Sequence, residues 1–274
     1  MASFIDGHVH IHTCYPLDKF LDSAIANFQH ASMELDRTDD PDATSILLLT
    51  ESAGDDCFAA LKDSGSRLCQ SAGQWRFNPT DETQSLTAAN ARGQRIVLVA
   101  GRQIVTAENL EILWIGTAQR ISDGLAIQQL IDRITASEGI AVLPWGPGKW
   151  YGQRGKIAKQ IITTYKGDNL FLGDNGNRPV FWPTPTNFRY AREKGLQILP
   201  GSDPLPLATE VGRAGTFGFY IDENVSVLKP CADLLKIIRN QGKHFRSFGR
   251  LESPGRFFRN QLCMQLIKKG LMKR

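Results

Sequence analysis

The sequence contains no apolar run approaching the ~18 residues that a membrane span requires, which excludes an integral helical membrane protein. Its five cysteines, Cys14, Cys57, Cys69, Cys231 and Cys263, are scattered and never form a CxxC pair. That excludes a zinc ribbon or a disulfide framework and fits reduced thiols. No GxxxxGK[ST] loop is present, so nucleotide hydrolysis of the P-loop kind is not indicated. Gly201-Ser202-Asp203 lacks the flanking spacing of a GxSxG elbow, and only His244 lies downstream as a partner, so no Ser-His-Asp arrangement is readable. The first residues, Met1 to Asp6, carry neither a basic start nor an apolar stretch, so no secretory signal is expected. With the free thiols, this gives the expectation of a cytoplasmic protein.

What is there is ordinary in amount and uneven in distribution. Hydrophobic residues make up 42% and charged residues 22% of 274, enough for one large domain with a buried core. The net charge is +4. From Lys236 to Arg274 there are eleven Lys/Arg against one acid, Glu252, a net +10 that leaves −6 on the rest. A basic tail on a mildly acidic body suggests an anionic contact, or simply a solvated terminal helix. The segment from Arg256 to Arg274 mixes Phe257, Phe258, Leu262, Met264, Leu266, Ile267 and Leu271 with basic ends. That composition fits a peripheral contact with an anionic membrane and equally a helix docked on the body. No nucleic-acid reader motif precedes it, so nucleic acid is not an expected partner.

Along the chain, strands and helices alternate. Residues 17–35 place Leu17, Phe20, Leu21, Ala24, Ile25, Phe28 and Leu35 on one helical face, and 45–50 is a short continuous apolar strand. Residues 74–116 break into short strands separated by Gly, Asn, Pro and Asp. Helices are then predicted over 125–136, 156–164, 187–194, 230–240 and from 256, with strands at 140–143, 170–172 and 196–199 between them. Helices of this length between short apolar strands imply parallel crossovers, hence an α/β sheet or barrel.

Polar clusters follow five of the strands: Asp6 to His12, Thr50-Glu51, Pro144 to Trp150, Gly173 to Pro179 and Pro200 to Pro204. In a parallel barrel such strand ends open onto one face, where active sites are built. Three of the five histidines fall within His8 to His12. His8 and His10, at i and i+2 on a strand, point to the same side, and neutral imidazoles are good ligands for zinc, iron and similar ions. Trp145 and Trp150 offer flat faces for a sugar or base, as does Trp182. Lys149, Arg154 and Arg178 offer charge to phosphate or carboxylate. The same aromatics equally well pack their loops down.

Asp6-Gly7-His8-Val9-His10 followed by a helix resembles the opening motif of the PHP (polymerase and histidinol phosphatase) superfamily of metal-dependent phosphoesterases. Residues 99–113 resemble the family's GxEIT…HLL segment and Gly201-Ser202-Asp203 its late GSDxH motif, the likeness covering roughly residues 3–220. It implies a distorted (β/α)7, TIM-like barrel over residues 1–224 with a short β excursion. Residues 225–274 then form a basic helical extension packed on the barrel or projecting from it. The departures are specific. Gln103 stands at the bridging Glu, Glu111 near the next His, Pro144-Trp145 at the middle His-Pro and Leu205 at the final His. On this mapping His8, His10 and Asp203 remain as metal ligands, enough with water for a mononuclear site.

The expectation is a divergent PHP-like, metal-dependent hydrolase acting on a phosphorylated or otherwise anionic small molecule. Its divalent ion (Zn, Mn or Fe) would be held by His8, His10 and Asp203, with Glu51 or Asp174 as fourth ligand or general base. Trp145, Lys149, Arg154 and Arg178 would bind substrate. The alternative is a catalytically degenerate barrel that binds an anionic metabolite or glycan through the same Trp/Lys/Arg loops.

Overall fold

Continuous apolar strands that need cover on both faces, and amphipathic helices that supply it, account for most of the architecture. The computed structural model describes residues 2–37, 43–240 and 245–272. His244, Lys273 and Arg274 lie outside the described residues. β1 (Ser3–Val9) leads through α1 (Leu17–Glu34) to β2 (Thr44–Leu49). Then come α2 (Cys57–Lys62), α3 (Arg67–Gln70), β3 (Arg76–Pro79), β4 (Ser85–Ala89), β5 (Arg95–Val99), β6 (Gly101–Val105) and β7 (Glu111–Ile115). Alternation resumes with α4 (Ile127–Ala136), β8 (Ile140–Pro144), α5 (Gly152–Thr164), β9 (Phe171–Asn175), α6 (Thr186–Glu193) and β10 (Ile198–Gly201). The chain ends with β11 (Phe217–Ile221), α7 (Pro230–Arg239), β12 (Arg246–Gly249) and α8 (Pro254–Lys268).

Among the described residues the strands form two sheets, one of seven in the order β12-β11-β1-β2-β5-β4-β3 and one of five in the order β10-β9-β8-β7-β6. Strand alternation divides their side chains among three apolar clusters. Ile5, Ile46, Leu48, Val97 and Val99 from the first sheet share one core with Leu113, Val142, Phe171 and Leu199 from the second. Phe4, Leu47, Leu49 and Leu98 point the other way, under α1. Leu143 and Leu172 lie under α4, α5 and α6. α7 adds Cys231, Leu234, Leu235, Ile237 and Ile238 to the shared core. Arg239 Nη2 donates to the carbonyl of Gly139 just before β8 (2.9 Å), placing the helix at the end where the parallel strands begin.

The expected (β/α)7 barrel does not form. Among the described residues parallel ladders join only β1-β2-β5 and β8-β9-β10, with isolated parallel bridges at Glu51–Arg102 and Pro179–Glu252. The β6–β7, β7–β8 and β1–β11 pairs are antiparallel, and the segment from β3 to β7 runs without a crossover helix. The sheets touch at two seams through isolated bonds in place of a ladder. At one, Asp203 N donates to the His8 carbonyl (2.8 Å); at the other, Glu51 N donates to Gly101 O (3.1 Å) and Gln103 N to Glu51 O (2.9 Å). β5 and β6 are one extended run that changes sheets at Ala100. A Cβ on Gly101 would stand 2.4 Å from the Leu49 carbonyl, so only glycine passes that corner. No helix among the described residues is long and apolar enough to cross a membrane.

Candidate metal centre

Asp6 is the fixed point from which the site is built. It is fully buried and accepts from Ser202 N (2.8 Å), Ser202 Oγ (2.5 Å), Gly215 N (2.8 Å) and His8 N (3.3 Å), tying β1 to the segment after β10. Burial pushes its carboxyl up to about 6, and those hydrogen bonds pull the other way. Two glycines allow the approach. A Cβ on Gly7 would lie 2.6 Å from Pro200 O, and one on Gly201 2.3 Å from His8 N. Asp203 follows directly, with φ at 47°, a left-handed conformation uncommon outside glycine and tolerated best by Asn and Asp.

These constraints bring three donor atoms together. His8 Nε2 and His10 Nε2 are 3.1 Å apart, and Asp203 Oδ1 lies 3.5 Å from the first and 3.6 Å from the second. Among the described residues this is the one group of three or more His, Cys, Asp or Glu compact enough to share an ion. Donors bound at ~2.0–2.1 Å to a tetrahedral ion stand about 3.3–3.4 Å from one another, so the triangle has the size of a coordination face. Both imidazoles are buried. Burial, then the neighbouring His8, holds His10 down to about 3, so it is the neutral, ligating form that is present at physiological pH. Burial opposes the charge of Asp203, but His8, His10 and Lys149 outweigh it and hold its pKa below the usual carboxylate value. The donor set therefore fits a divalent ion: two imidazole nitrogens and one carboxylate oxygen.

Three further side chains complete the surroundings: Gln103, which the resemblance put at the bridging-Glu position, and two asparagines whose roles were not read from the sequence. Gln103 Oε1 lies 3.1 Å from His8 Nε2, placing an amide oxygen beside the cluster. Asn175 Nδ2 donates to Asp203 Oδ2, which leaves Oδ1 for the imidazoles, and Asn177 Nδ2 donates to the Asp203 carbonyl (2.6 Å). The two asparagines lie in the predicted strand-end segment after β9, but nothing in the sequence marks their partner, 28 and 26 residues away.

The other expected site residues are placed as follows. Glu51 is buried at the end of β2; its Oε1 accepts from Phe58 N (2.6 Å) at the start of α2 and its Oε2 pairs with Arg102 (2.9 Å). Asp174 is forked by Arg178, with Nε to Oδ1 at 2.9 Å and Nη2 to Oδ2 at 2.7 Å. Neither carboxylate joins the three-residue group. Lys149 pairs with Glu111 and is within electrostatic reach of Asp203. Arg154 Nη2 donates to Gly148 O (2.9 Å). Trp145 is buried in the core under α4 to α6 and stacks edge-on against Trp182, ring centroids 5.9 Å apart. The structure thus brings together His8, His10 and Asp203 with Lys149 nearby, and gives Glu51, Asp174 and Arg178 partners of their own.

No family model matches the sequence, and no curated protein matches it. Among solved structures the chain is similar to PsfC from Pseudomonas syringae PB-5123, at 12% identity over 99% of both chains and a TM-score of 0.46. It is also similar to the novel lesion-specific endonuclease PfuEndoQ from Pyrococcus furiosus, at 9% identity and a TM-score of 0.48. That second match covers 89% of this chain and 58% of the other, so the chain spans under two thirds of the endonuclease's length. At this identity no residue role passes between the chains. Fold and site define a two-sheet α/β protein with a buried His-His-Asp cluster of metal-binding size.

Proposed function

We propose that this protein is a metal-dependent hydrolase of PHP-like character whose single divalent ion is held by His8, His10 and Asp203, and whose substrate is a phosphorylated or otherwise anionic small molecule. The observation that carries this reading is the triangle of two imidazole nitrogens and one carboxylate oxygen with edges of 3.1, 3.5 and 3.6 Å. A divalent ion there supplies positive charge to a developing oxyanion and makes water nucleophilic near neutral pH.

The chain's own residues do the rest. Burial keeps His10 neutral; Asn175 holds the Asp203 carboxylate in one rotamer; Asp6 holds the two segments in register. Lys149, the basic residue that acts on Asp203 electrostatically, is the group in this chain to steer an anionic substrate toward the cluster. The reading as a ligand-binding protein built on the Trp/Lys/Arg loops draws less support, since Trp145 is buried and Arg178 is engaged by Asp174.

The test is hydrolysis of p-nitrophenyl phosphate and bis(p-nitrophenyl) phosphate by protein purified without chelator, with zinc, manganese or iron(II) added after chelation. Activity lost on chelation, restored by one of the ions and absent from Asp203→Ala is the expected result. Activity indifferent to chelation overturns the proposal, as does a chain that retains no ion from any of the three.

A further inference from the structure

α8 carries large apolar side chains along its outer side that stay exposed or half-buried. Its first turns are anchored. Ser253 caps it, Phe257 and Asn260 are buried, and Arg256, Arg259 and Asn260 converge on the buried Glu210. Beyond Asn260 no residue of the helix is buried, although Leu262, Cys263, Met264, Leu266, Ile267 and, past its end, Leu271 are apolar. No α8 side chain belongs to any of the three cores.

A second exposed element adjoins it. Phe181, in the loop before α6, stacks on Phe258 (centroids 5.7 Å) and meets Phe257 edge-on (5.9 Å), while Trp182 meets both Phe257 (6.2 Å) and Tyr151 (6.5 Å). Phe258 and Leu262 are each 61% exposed, Val180 58% and Phe181 50%. Large apolar side chains gathered this way mark a contact surface.

Charge says what kind. The three segments that meet here, 145–167, 175–192 and 253–272, contain no Asp or Glu in a chain that has 28. They carry five, three and four Lys/Arg respectively; Lys149, Arg178, Arg256 and Arg259 are paired with acids outside these segments, and Lys156, Lys159, Arg189, Arg192, Lys268 and Lys269 are exposed.

We infer that this face docks on an anionic lipid bilayer. The aliphatic and aromatic side chains of α8 and Val180-Phe181 enter the boundary between head groups and acyl chains, and the surrounding Lys/Arg stay at the level of the lipid phosphates. The aliphatic content, Val180, Leu262, Met264, Leu266, Ile267 and Leu271, favours lipid over single-stranded nucleic acid, whose bases need flat partners to stack upon. The exposed apolar side chains of this surface, Val180, Phe181, Phe258 and Leu262, are not among the donors His8, His10 and Asp203, so its failure would leave the metal centre's reading intact.

Sedimentation of the full chain with vesicles tests it, comparing phosphatidylcholine with a 70:30 phosphatidylcholine–phosphatidylglycerol mixture. The expected result is pelleting with the anionic vesicles alone, weakened by high salt. Partitioning should fall roughly tenfold or more in Phe181→Ser/Phe258→Ser/Leu262→Ser and in Lys268→Glu/Lys269→Glu, with circular dichroism and metal content unchanged. Protein that stays in the supernatant with anionic vesicles overturns the proposal, and so does either variant pelleting like the parent. Tighter binding to a single-stranded oligonucleotide than to vesicles would assign the surface to nucleic acid instead. A stable dimer abolished by the triple variant would assign it to a second copy of the chain.

Discussion

His8 and His10 come together by simple alternation along β1, but Asp203 reaches them only because Gly7 and Gly201 let two backbones nearly touch. Removing the carboxylate while keeping its shape, Asp203→Asn, should drop bound metal from about one equivalent per chain to well below it, read by elemental analysis after dialysis. Retention of a full equivalent would remove Asp203 from the ligand set. Gln103→Glu should do the reverse. A second anionic oxygen beside His8 should raise metal affinity roughly tenfold or more in competition with a chelator, and unchanged affinity would separate Gln103 from the ion. The histidine pair was legible in the sequence as a spacing, and Asp203 was legible through a resemblance of short motifs. Gln103 was legible through the same resemblance, as the residue at the bridging-Glu position; Asn175 was not, because its role depends on a partner 28 residues away and on no local pattern.

At the level of elements, the rule that strand ends gather polar side chains named Glu51 and Asp174 but could not say that each is engaged by an arginine. Glu51 closes the corner between the sheets. It accepts from the Phe58 amide in the first turn of α2 and pairs with Arg102, both side chains being almost fully buried. Glu51→Gln should therefore act on stability, lowering it by about 2 kcal/mol in urea unfolding by leaving Arg102 with Asp56 (3.3 Å) as its acidic partner, with metal content unchanged. Loss of metal at unchanged stability would return Glu51 to the metal centre. Gly201→Ala forces a Cβ against His8 N, so it should cost at least ~2 kcal/mol and weaken metal binding together. Helices such as α1, α4 and α7 announced themselves by apolar periodicity. β4, β11, β12, α2 and α3 went unassigned, being four to six residues long and without an amphipathic repeat of useful length.

Taken whole, the molecule keeps the shared core and the single polar end of a barrel while its sheets stay separate. Alternation of strand and helix could not forecast that, because it reports crossovers and says nothing of the meander from β3 to β7, where the pairing turns antiparallel. A ligand joining residues across the seam between β1 and the segment after β10 should stabilise such an assembly. At a free metal concentration ~100 times its dissociation constant the gain is about 2.7 kcal/mol, and for a chain of this size the melting temperature should rise roughly 5–10 °C. An identical melting temperature with and without chelator would separate the ion from the fold. The most direct measurement is anomalous diffraction from crystals grown with zinc or manganese. The account predicts one strong peak about 2.0–2.2 Å from His8 Nε2, His10 Nε2 and Asp203 Oδ1. Metal bound elsewhere, or those three side chains clear of any ion at saturating concentration, would contradict it.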